Sequence, residues 1–84
     1  MRKCVGNIEL NGNSLKYYVY GSRNTGFGVE IMVTRVEKTD RIVSHDLEEA
    51  ICVAQKLQRG SVFPISLDEI IEDMEFEQYE NKVD

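Results

Sequence analysis

Carboxylates near the carboxyl end of the chain are the most concentrated group of side chains that could do chemistry. Between positions 68 and 80, seven of thirteen residues are Asp or Glu, and none is Lys or Arg. Several of these acids are spaced four residues apart on a predicted helix, where like charges repel, so cations must offset them. A basic partner could supply those cations, or the chain itself could, within one copy or across a dimer. The intrachain candidates are Arg2, Lys3, Arg35 and Arg41.

Two aromatic residues of the same helix favour the partner. Phe76 and Tyr79 fall outside the apolar stripe of the helix, and an aromatic side chain surrounded by charges is typical of an interface anchor. The other interpretation is that the helix ends near Met74 and that Phe76 packs back onto its own sheet. The predicted contact surface consists of Glu72, Asp73, Glu75, Phe76 and Tyr79.

The glycine-rich segment Gly21–Gly28 is a second place where a ligand could bind. Backbone amides freed by glycines can hold an anion, and Arg23 adds a positive charge. The candidate contacts are Arg23, Asn24 and Gly26. A phosphate-binding loop needs a helix after it, whereas this segment leads into a predicted strand, so an ordinary hairpin turn is favoured.

His45 and Cys52 are the remaining reactive side chains near a helix. On a helix that begins at Asp46, Glu49 and Cys52 lie one turn apart, but His45 precedes the helix, and the three residues do not have the spacing of a metal-ligand set. Cys52 also lacks an oriented base in the sequence around it. The sequence therefore predicts no catalytic residue, metal or cofactor, and it favours a non-catalytic protein without deciding the point.

One strand presents two tyrosines and a lysine on a single face. Lys16, Tyr18 and Tyr20 alternate with Leu15, Tyr17 and Val19, an arrangement that could stack nucleic-acid bases. The net charge of −5 argues against nucleic acid. Cross-strand packing of the aromatic rings is the favoured interpretation.

The elements that position these residues are strands in the first half of the chain. Alternation and turn residues predict strands at 4–10, 15–20, 29–36 and 41–44, with a hairpin turn at Asn11-Gly12 and a polar turn over residues 37–40. Short connections between successive strands favour an antiparallel meander.

Helical periodicity replaces the strand pattern after Asp46. Two helices are predicted, at about 47–59 and about 67–79. The first has Asp46 and Glu49 as a capping box and Gly60 as a left-handed end residue; the second has the Ser66/Glu69 box and the Ile65/Ile70 staple. The predicted fold is α+β, a four-stranded antiparallel meander followed by two helices packed on the sheet (ββββαα).

The run VFPISLDEIIED, from Val62 to Asp73, follows Tyr20-Gly21 and the strand region, and it resembles a family of small uncharacterised domains from anaerobic Gram-positive bacteria. The resemblance covers roughly residues 15–76. It implies a bacterial cytoplasmic α+β domain and brings no activity, substrate or cofactor with it.

Length and charge set the limits on function. A chain of 84 residues forms one domain, residues 1–84. Residues 1–45 carry a net charge of +3 and residues 46–84 a net charge of −8. Two cysteines and the lack of a long apolar run predict a cytoplasmic protein away from membranes. The leading hypothesis is a non-catalytic interaction or regulatory module that forms a homodimer or binds a basic partner. The alternative is a small-molecule or anion-binding protein, possibly an enzyme, that uses the glycine-rich segment. The third hypothesis is nucleic-acid binding through the sheet.

Overall fold

Four antiparallel strands in chain order form one sheet, and two helices follow it, which confirms the predicted ββββαα fold. The computed structural model describes residues 1–33 and 37–74. The strands are β1 (Arg2–Leu10), β2 (Asn13–Ser22), β3 (Gly26–Val33) and β4 (Glu37–Ser44), and they are followed by helix α1 (Leu47–Arg59), a 3₁₀ turn (Pro64–Ser66) and helix α2 (residues 67–74). None of the helices in the described ranges is long and apolar enough to cross a membrane.

Alternation along β2 and β3 separates the two faces of the sheet. One face is apolar and lies under the helices, with Leu15, Tyr17, Val19, Val29 and Ile31 fully buried. The other face carries the polar alternates and no helix covers it within the described ranges. The predicted Asn11-Gly12 hairpin turn is confirmed, because both residues have positive φ, at 52° and 80°, as a tight turn of matching twist requires.

Strand β4 starts earlier than predicted. Residues 37–40 form ladder pairs with β3, among them Lys38 with Met32 and Asp40 with Glu30, so the predicted polar turn over these residues is wrong. β4 is an edge strand, and charged residues are common on edges because they discourage pairing with another chain. The polar composition of residues 37–40 thus predicts a turn, whereas in the structure it is the composition of a sheet edge that avoids pairing with another chain.

The start of α1 agrees with prediction, with Asp46 as the N-cap, but the predicted capping box of Asp46 and Glu49 does not form. Asp46 accepts a hydrogen bond from the Glu48 amide at 3.0 Å. Glu49 does not bond Asp46 directly: the Ser44 hydroxyl donates to Glu49 at 2.8 Å and accepts from the Asp46 amide at 3.0 Å. The last residue of β4 thus ties the strand to the helix that follows it.

The end of α1 differs from prediction at one position. Gly60 has an ordinary right-handed φ of −85°, and Ser61 is the left-handed residue, with φ of 50°. The Ser61 amide donates to the Gln58 carbonyl and the Val62 amide to the Leu57 carbonyl, the two bonds of a Schellman motif with Ser61 in the usual glycine position. The glycine of this sequence stands one residue too early to fill that position.

Replacing Ser61 with glycine is expected to raise the free energy of unfolding by about 0.5–1 kcal/mol, because glycine adopts positive φ without a Cβ penalty. Urea denaturation followed by circular dichroism measures the change. Gly60→Ala is the matched variant and should not destabilise the fold. If Gly60→Ala instead costs about 1 kcal/mol, the left-handed residue is Gly60 and the assignment to Ser61 is contradicted.

The helical turn that leads into α2 begins at Pro64 rather than at Ser66. Proline suits a first helical position because its φ is already helical and its missing amide hydrogen would have no partner there. Ser66 consequently lies inside the 3₁₀ turn, with its amide bonded to the Phe63 carbonyl, so the predicted Ser66/Glu69 capping box is wrong. The predicted staple is also wrong, because the Ile65 side chain faces solvent.

The core lies between the apolar face of the sheet and the two helices. Ala50, Ala54 and Leu57 of α1 are fully buried against it, as are Leu67 and, to 98 %, Ile71 of α2. α1 contacts all four strands, whereas the 3₁₀ turn that opens α2 packs on β3 and β4. Tyr17 is the largest side chain of this core, and its hydroxyl donates to the Val62 carbonyl at 3.0 Å. The sheet therefore holds the connector between the helices through one tyrosine.

Candidate functional site

Four carboxylates project into solvent from α2, and the sheet neutralises two of them. Arg41 of β4 lies 3.5 Å from Asp68 and 3.9 Å from Glu72. Within the described ranges, Glu69 and Asp73 have no cation at ion-pair distance. Among the described residues, the intrachain explanation therefore holds for Asp68 and Glu72 but not for Glu69 and Asp73. Arg35, another of the predicted cations, lies outside the described residues.

Ile65 adds an apolar group to this acidic surface. Its side chain is 90 % exposed, more than any other large hydrophobic residue in the described ranges. Residues four and seven positions later on a helix share a face, which places Ile65 beside Glu69 and Glu72. We call this surface the acidic face of α2; it consists of Ile65, Asp68, Glu69, Glu72 and Asp73.

The predicted contact surface continues beyond the end of the described part of the chain. Glu72 and Asp73 are exposed as expected. Glu75, Phe76 and Tyr79 lie outside the described residues, so the two interpretations of Phe76 stay open as predictions.

A cleft of about 240 Å³ separates α1 from the end of the described α2. Its lining includes the apolar or sulfur-containing residues Cys52 and Val53 of α1 and Met74 of α2, which we call the floor. The remaining lining residues are charged, and we call them the rim: Asp46, Glu48, Glu49 and Lys56. We call this the α1–α2 cleft. It combines an apolar floor with three carboxylates and one ammonium group.

The glycine-rich segment forms a short hairpin turn. Gly26 and Gly28 belong to β3, so the loop is confined to residues 23–25. The Thr25 amide donates to the Ser22 hydroxyl, which also bonds the Thr25 hydroxyl at 2.9 Å. Arg23 and Asn24 are exposed at the tip, whereas Gly26 is buried. Ser22 and Thr25 thus close the turn, and Gly26, one of the three candidate anion contacts, is not at the surface.

The uncovered face of the sheet is occupied by interlocked polar side chains. The Arg2 guanidinium lies 3.7 Å from the centroid of the Tyr18 ring and 2.8 Å from the Glu30 carboxylate. The Tyr20 hydroxyl donates to Asp40. Burial raises the pKa of Tyr20, and the bond to Asp40 raises it further. A base could not stack on Tyr18 without displacing Arg2 from one side of the ring.

Charge on this face is balanced, which also disfavours nucleic acid. By ladder register, the described part of the face presents three cations and three carboxylates, which are Arg2, Lys16, Lys38, Glu9, Glu30 and Asp40. A nucleic-acid surface needs a net positive potential. Cross-strand packing, the favoured interpretation of the tyrosines, agrees with these contacts.

His45 and the two cysteines form no ligand cluster in the part of the chain that the structure describes. In those ranges, no three His, Cys, Asp or Glu residues are placed to share a metal ion. Cys4 and Cys52 are both exposed free thiols. Cys4 belongs to β1, whereas Cys52 lies in the α1–α2 cleft, so the two thiols report on different surfaces.

Comparison with known families gives a match that covers the acidic face of α2 and the α1–α2 cleft but not Tyr79. The family model described as a family of unknown function, DUF6514, matches residues 3–76. The chain belongs to the DUF6514 family. No curated protein and no solved structure matches it. Family membership agrees with the resemblance to small uncharacterised domains, and it supplies no activity.

Two features of this DUF6514 domain escaped prediction from sequence. The local pattern around Ser66 matches a capping box and therefore predicts Ile65 as a staple residue, whereas its side chain is exposed. The only contrary signal was Pro64, which starts the helical turn two residues earlier. The α1–α2 cleft depends on the distance between the two packed helices, and no local sequence pattern predicts that distance.

Proposed function

We propose that this DUF6514 domain is a non-catalytic protein-interaction module that binds a basic partner through the acidic face of α2. The observation that supports it is the 90 % exposure of Ile65 among the carboxylates of that face. An isolated exposed isoleucine is unremarkable on a protein surface, but one among four exposed carboxylates, of which Glu69 and Asp73 have no cation within the described ranges, resembles the centre of a contact patch with a polar rim.

The binding energies expected from the isoleucine and from the carboxylates favour a partner that is both apolar and cationic. Burial of an isoleucine side chain contributes about 1.5–3 kcal/mol. Exposed ion pairs with Glu69 or Asp73 contribute little each, about 0–1 kcal/mol, but they steer a basic partner toward the helix. The isoleucine is therefore the expected source of affinity, and the carboxylates are the expected source of selectivity and salt dependence.

Charge is distributed in keeping with this role. Residues 46–74, which form the helical layer, contain seven acidic and two basic residues. The uncovered sheet face on the other side is balanced. A basic partner would consequently be drawn to the helical side of the domain.

A basic partner and a second copy of the chain remain competing occupants of this surface. We propose the basic partner because an acidic face is repelled by its own copy in a two-fold dimer, which places like surfaces together. The cytoplasmic location, the origin in anaerobic Gram-positive bacteria and a homodimer assembled through another surface are proposals that rest on the sequence.

The test is binding of short synthetic peptides to the full chain, measured by fluorescence anisotropy. A peptide of lysine and leucine with a helical apolar stripe should bind. Its charge-matched relative, with serine in place of leucine, and its acidic relative, with glutamate in place of lysine, should bind at least about tenfold more weakly, which corresponds to 1.4 kcal/mol.

Two substitutions with a matched control decide whether the acidic face of α2 carries the binding. Ile65→Ser should weaken the lysine–leucine peptide about tenfold, since it removes most of a buried side chain's contribution. Ile42→Ser is the control, because Ile42 is also exposed, at 46 %, but lies on the uncovered sheet face. Glu69→Gln should reduce the salt dependence of binding. Equal affinities for the Ile65→Ser variant and the unaltered chain would contradict the proposal.

A further inference from the structure

We infer that the α1–α2 cleft is the pocket that receives an apolar side chain of the basic partner, with a neighbouring lysine or arginine of that partner bound at its carboxylate rim. This inference rests on the proposed function and adds a second anchor point to it. The cleft and the acidic face of α2 share one helix, so one partner segment that crosses α2 can contact both.

The size and floor of the cleft suit one apolar side chain. Its volume of about 240 Å³ exceeds the enclosed cavity of about 150 Å³ that holds benzene in an engineered protein, so the cleft has room for a leucine or methionine side chain. Val53 and Met74 supply the apolar contacts. Methionine is well suited to such a floor, because its unbranched chain adapts to different occupants.

The rim determines which partner is accepted. The Asp46 carboxylate accepts a hydrogen bond from the Glu48 amide, and the Glu49 carboxylate accepts one from the Ser44 hydroxyl, so both carboxylates have a hydrogen-bond partner within the domain. Glu48 is different: within residues 1–33 and 37–74 its carboxylate has neither a hydrogen-bond partner nor an ion-pair partner. Glu48 is thus the carboxylate best placed to take a cation of the partner.

Lys56 stands at the opposite end of the cleft and gives the site a direction. It follows Glu48 by eight residues, which is about 12 Å along a helix. We expect the partner segment to place its cation beside Glu48 and its apolar side chain over Val53. A carbonyl or carboxylate oxygen of the same segment can then bind Lys56. Three carboxylates against one ammonium group keep the rim acidic as a whole.

The cleft contains its own reporter in the thiol of Cys52. The experiment treats the full chain with iodoacetamide, with and without a saturating amount of the lysine–leucine peptide, and follows each cysteine by mass spectrometry of proteolytic fragments. Cys4 is the internal control, because it is equally a free exposed thiol but belongs to β1. Bound peptide should slow alkylation of Cys52 about tenfold or more and leave that of Cys4 unchanged.

The outcomes separate this inference from the proposed function. Saturable peptide binding that is weakened by Ile65→Ser but leaves Cys52 as reactive as before would overturn the cleft assignment and retain the acidic face of α2. Absence of peptide binding would overturn both. Faster alkylation of Cys52 in a Phe76→Ser variant without peptide would also overturn the inference, because the chain's own carboxyl-terminal segment would then be the occupant.

A substitution at the rim gives a second, independent measurement. Glu48→Gln keeps the size of the side chain and removes its charge, so it should weaken the lysine–leucine peptide several-fold and reduce the salt dependence of binding by about one counterion. Glu9→Gln, on the uncovered face of the sheet, is the matched control for loss of one charge. Equal effects of Glu48→Gln and Glu9→Gln would show that only net charge matters and would contradict the cleft.

Discussion

The Gly21→Ala variant is expected to lose about 3 kcal/mol or more of its free energy of unfolding, because two independent penalties meet at this position. The φ of Gly21 is 121°, a value that residues with a side chain rarely adopt. A Cβ at this position would also lie 2.1 Å from the carbonyl oxygen of Gly26, which is backbone of the adjoining strand and cannot turn aside.

Relief of that contact would have to separate strands at the end of the hairpin. Gly21 pairs with Phe27 in the β2–β3 ladder, and its amide also donates to the Met1 carbonyl at 2.9 Å. Movement of Gly21 therefore disturbs three chain segments together. Phe27 is one of the buried core residues, so the disturbance reaches the core as well as the surface.

Gly12→Ala is the matched control for this prediction. Gly12 also has positive φ, at 80°, but a Cβ there would meet nothing within 4 Å. Its expected loss is about 1–2 kcal/mol from backbone conformation alone. Chemical denaturation of both variants measures the difference, which isolates the contact with Gly26. Equal losses in the two variants would mean that the close approach at Gly21 relaxes without consequence.

Local patterns predicted the fold where each pattern had one physical solution. Asn11-Gly12 can adopt the positive φ values that a tight hairpin needs, and the spacing of Ala50, Ala54 and Leu57 places three buried residues on one helical face. Strand alternation separated the face of Tyr17 from the face of Tyr18 and Tyr20, and the structure has the same separation. These features depend on residues that are close together in the chain, so they can be predicted from the sequence.

Prediction failed where two solutions competed and the choice depended on distant residues. Residues 37–40 have a turn-like composition, but β3 offers them a ladder, and an edge strand tolerates charge. Pro64 and Ser66 each mark a helix start; the structure uses Pro64, and Ile65 becomes exposed as a consequence. Most of the candidate site arose from such choices, so the sequence indicated an acidic helix but neither the exposure of Ile65 nor the α1–α2 cleft.

The second large effect is expected at Tyr17, whose ring fills the core and whose hydroxyl holds the connector between the helices. Tyr17→Ala should cost about 3–5 kcal/mol, as is typical when a buried aromatic ring is removed. Tyr17→Phe keeps the ring and removes the bond to the Val62 carbonyl, so it should cost only about 0.5–1.5 kcal/mol. Denaturation of the two variants separates the packing of the ring from the hydrogen bond.

Loss of that hydrogen bond should also reach the proposed binding surface. Val62 precedes Pro64 and Ile65 by two and three residues, so the Tyr17 hydroxyl fixes the connector just before the exposed isoleucine. Tyr17→Phe should therefore raise hydrogen exchange of the amides in residues 62–66 and weaken the lysine–leucine peptide a few-fold, while the rest of the sheet keeps its protection. Tyr18→Phe, on the uncovered sheet face, is the control and should change neither. If Tyr17→Phe lowers stability but leaves both exchange in the connector and peptide affinity unchanged, the hydroxyl stabilises the fold without positioning Ile65, and the acidic face of α2 is held in place by the packing of Leu67 and Ile71 alone.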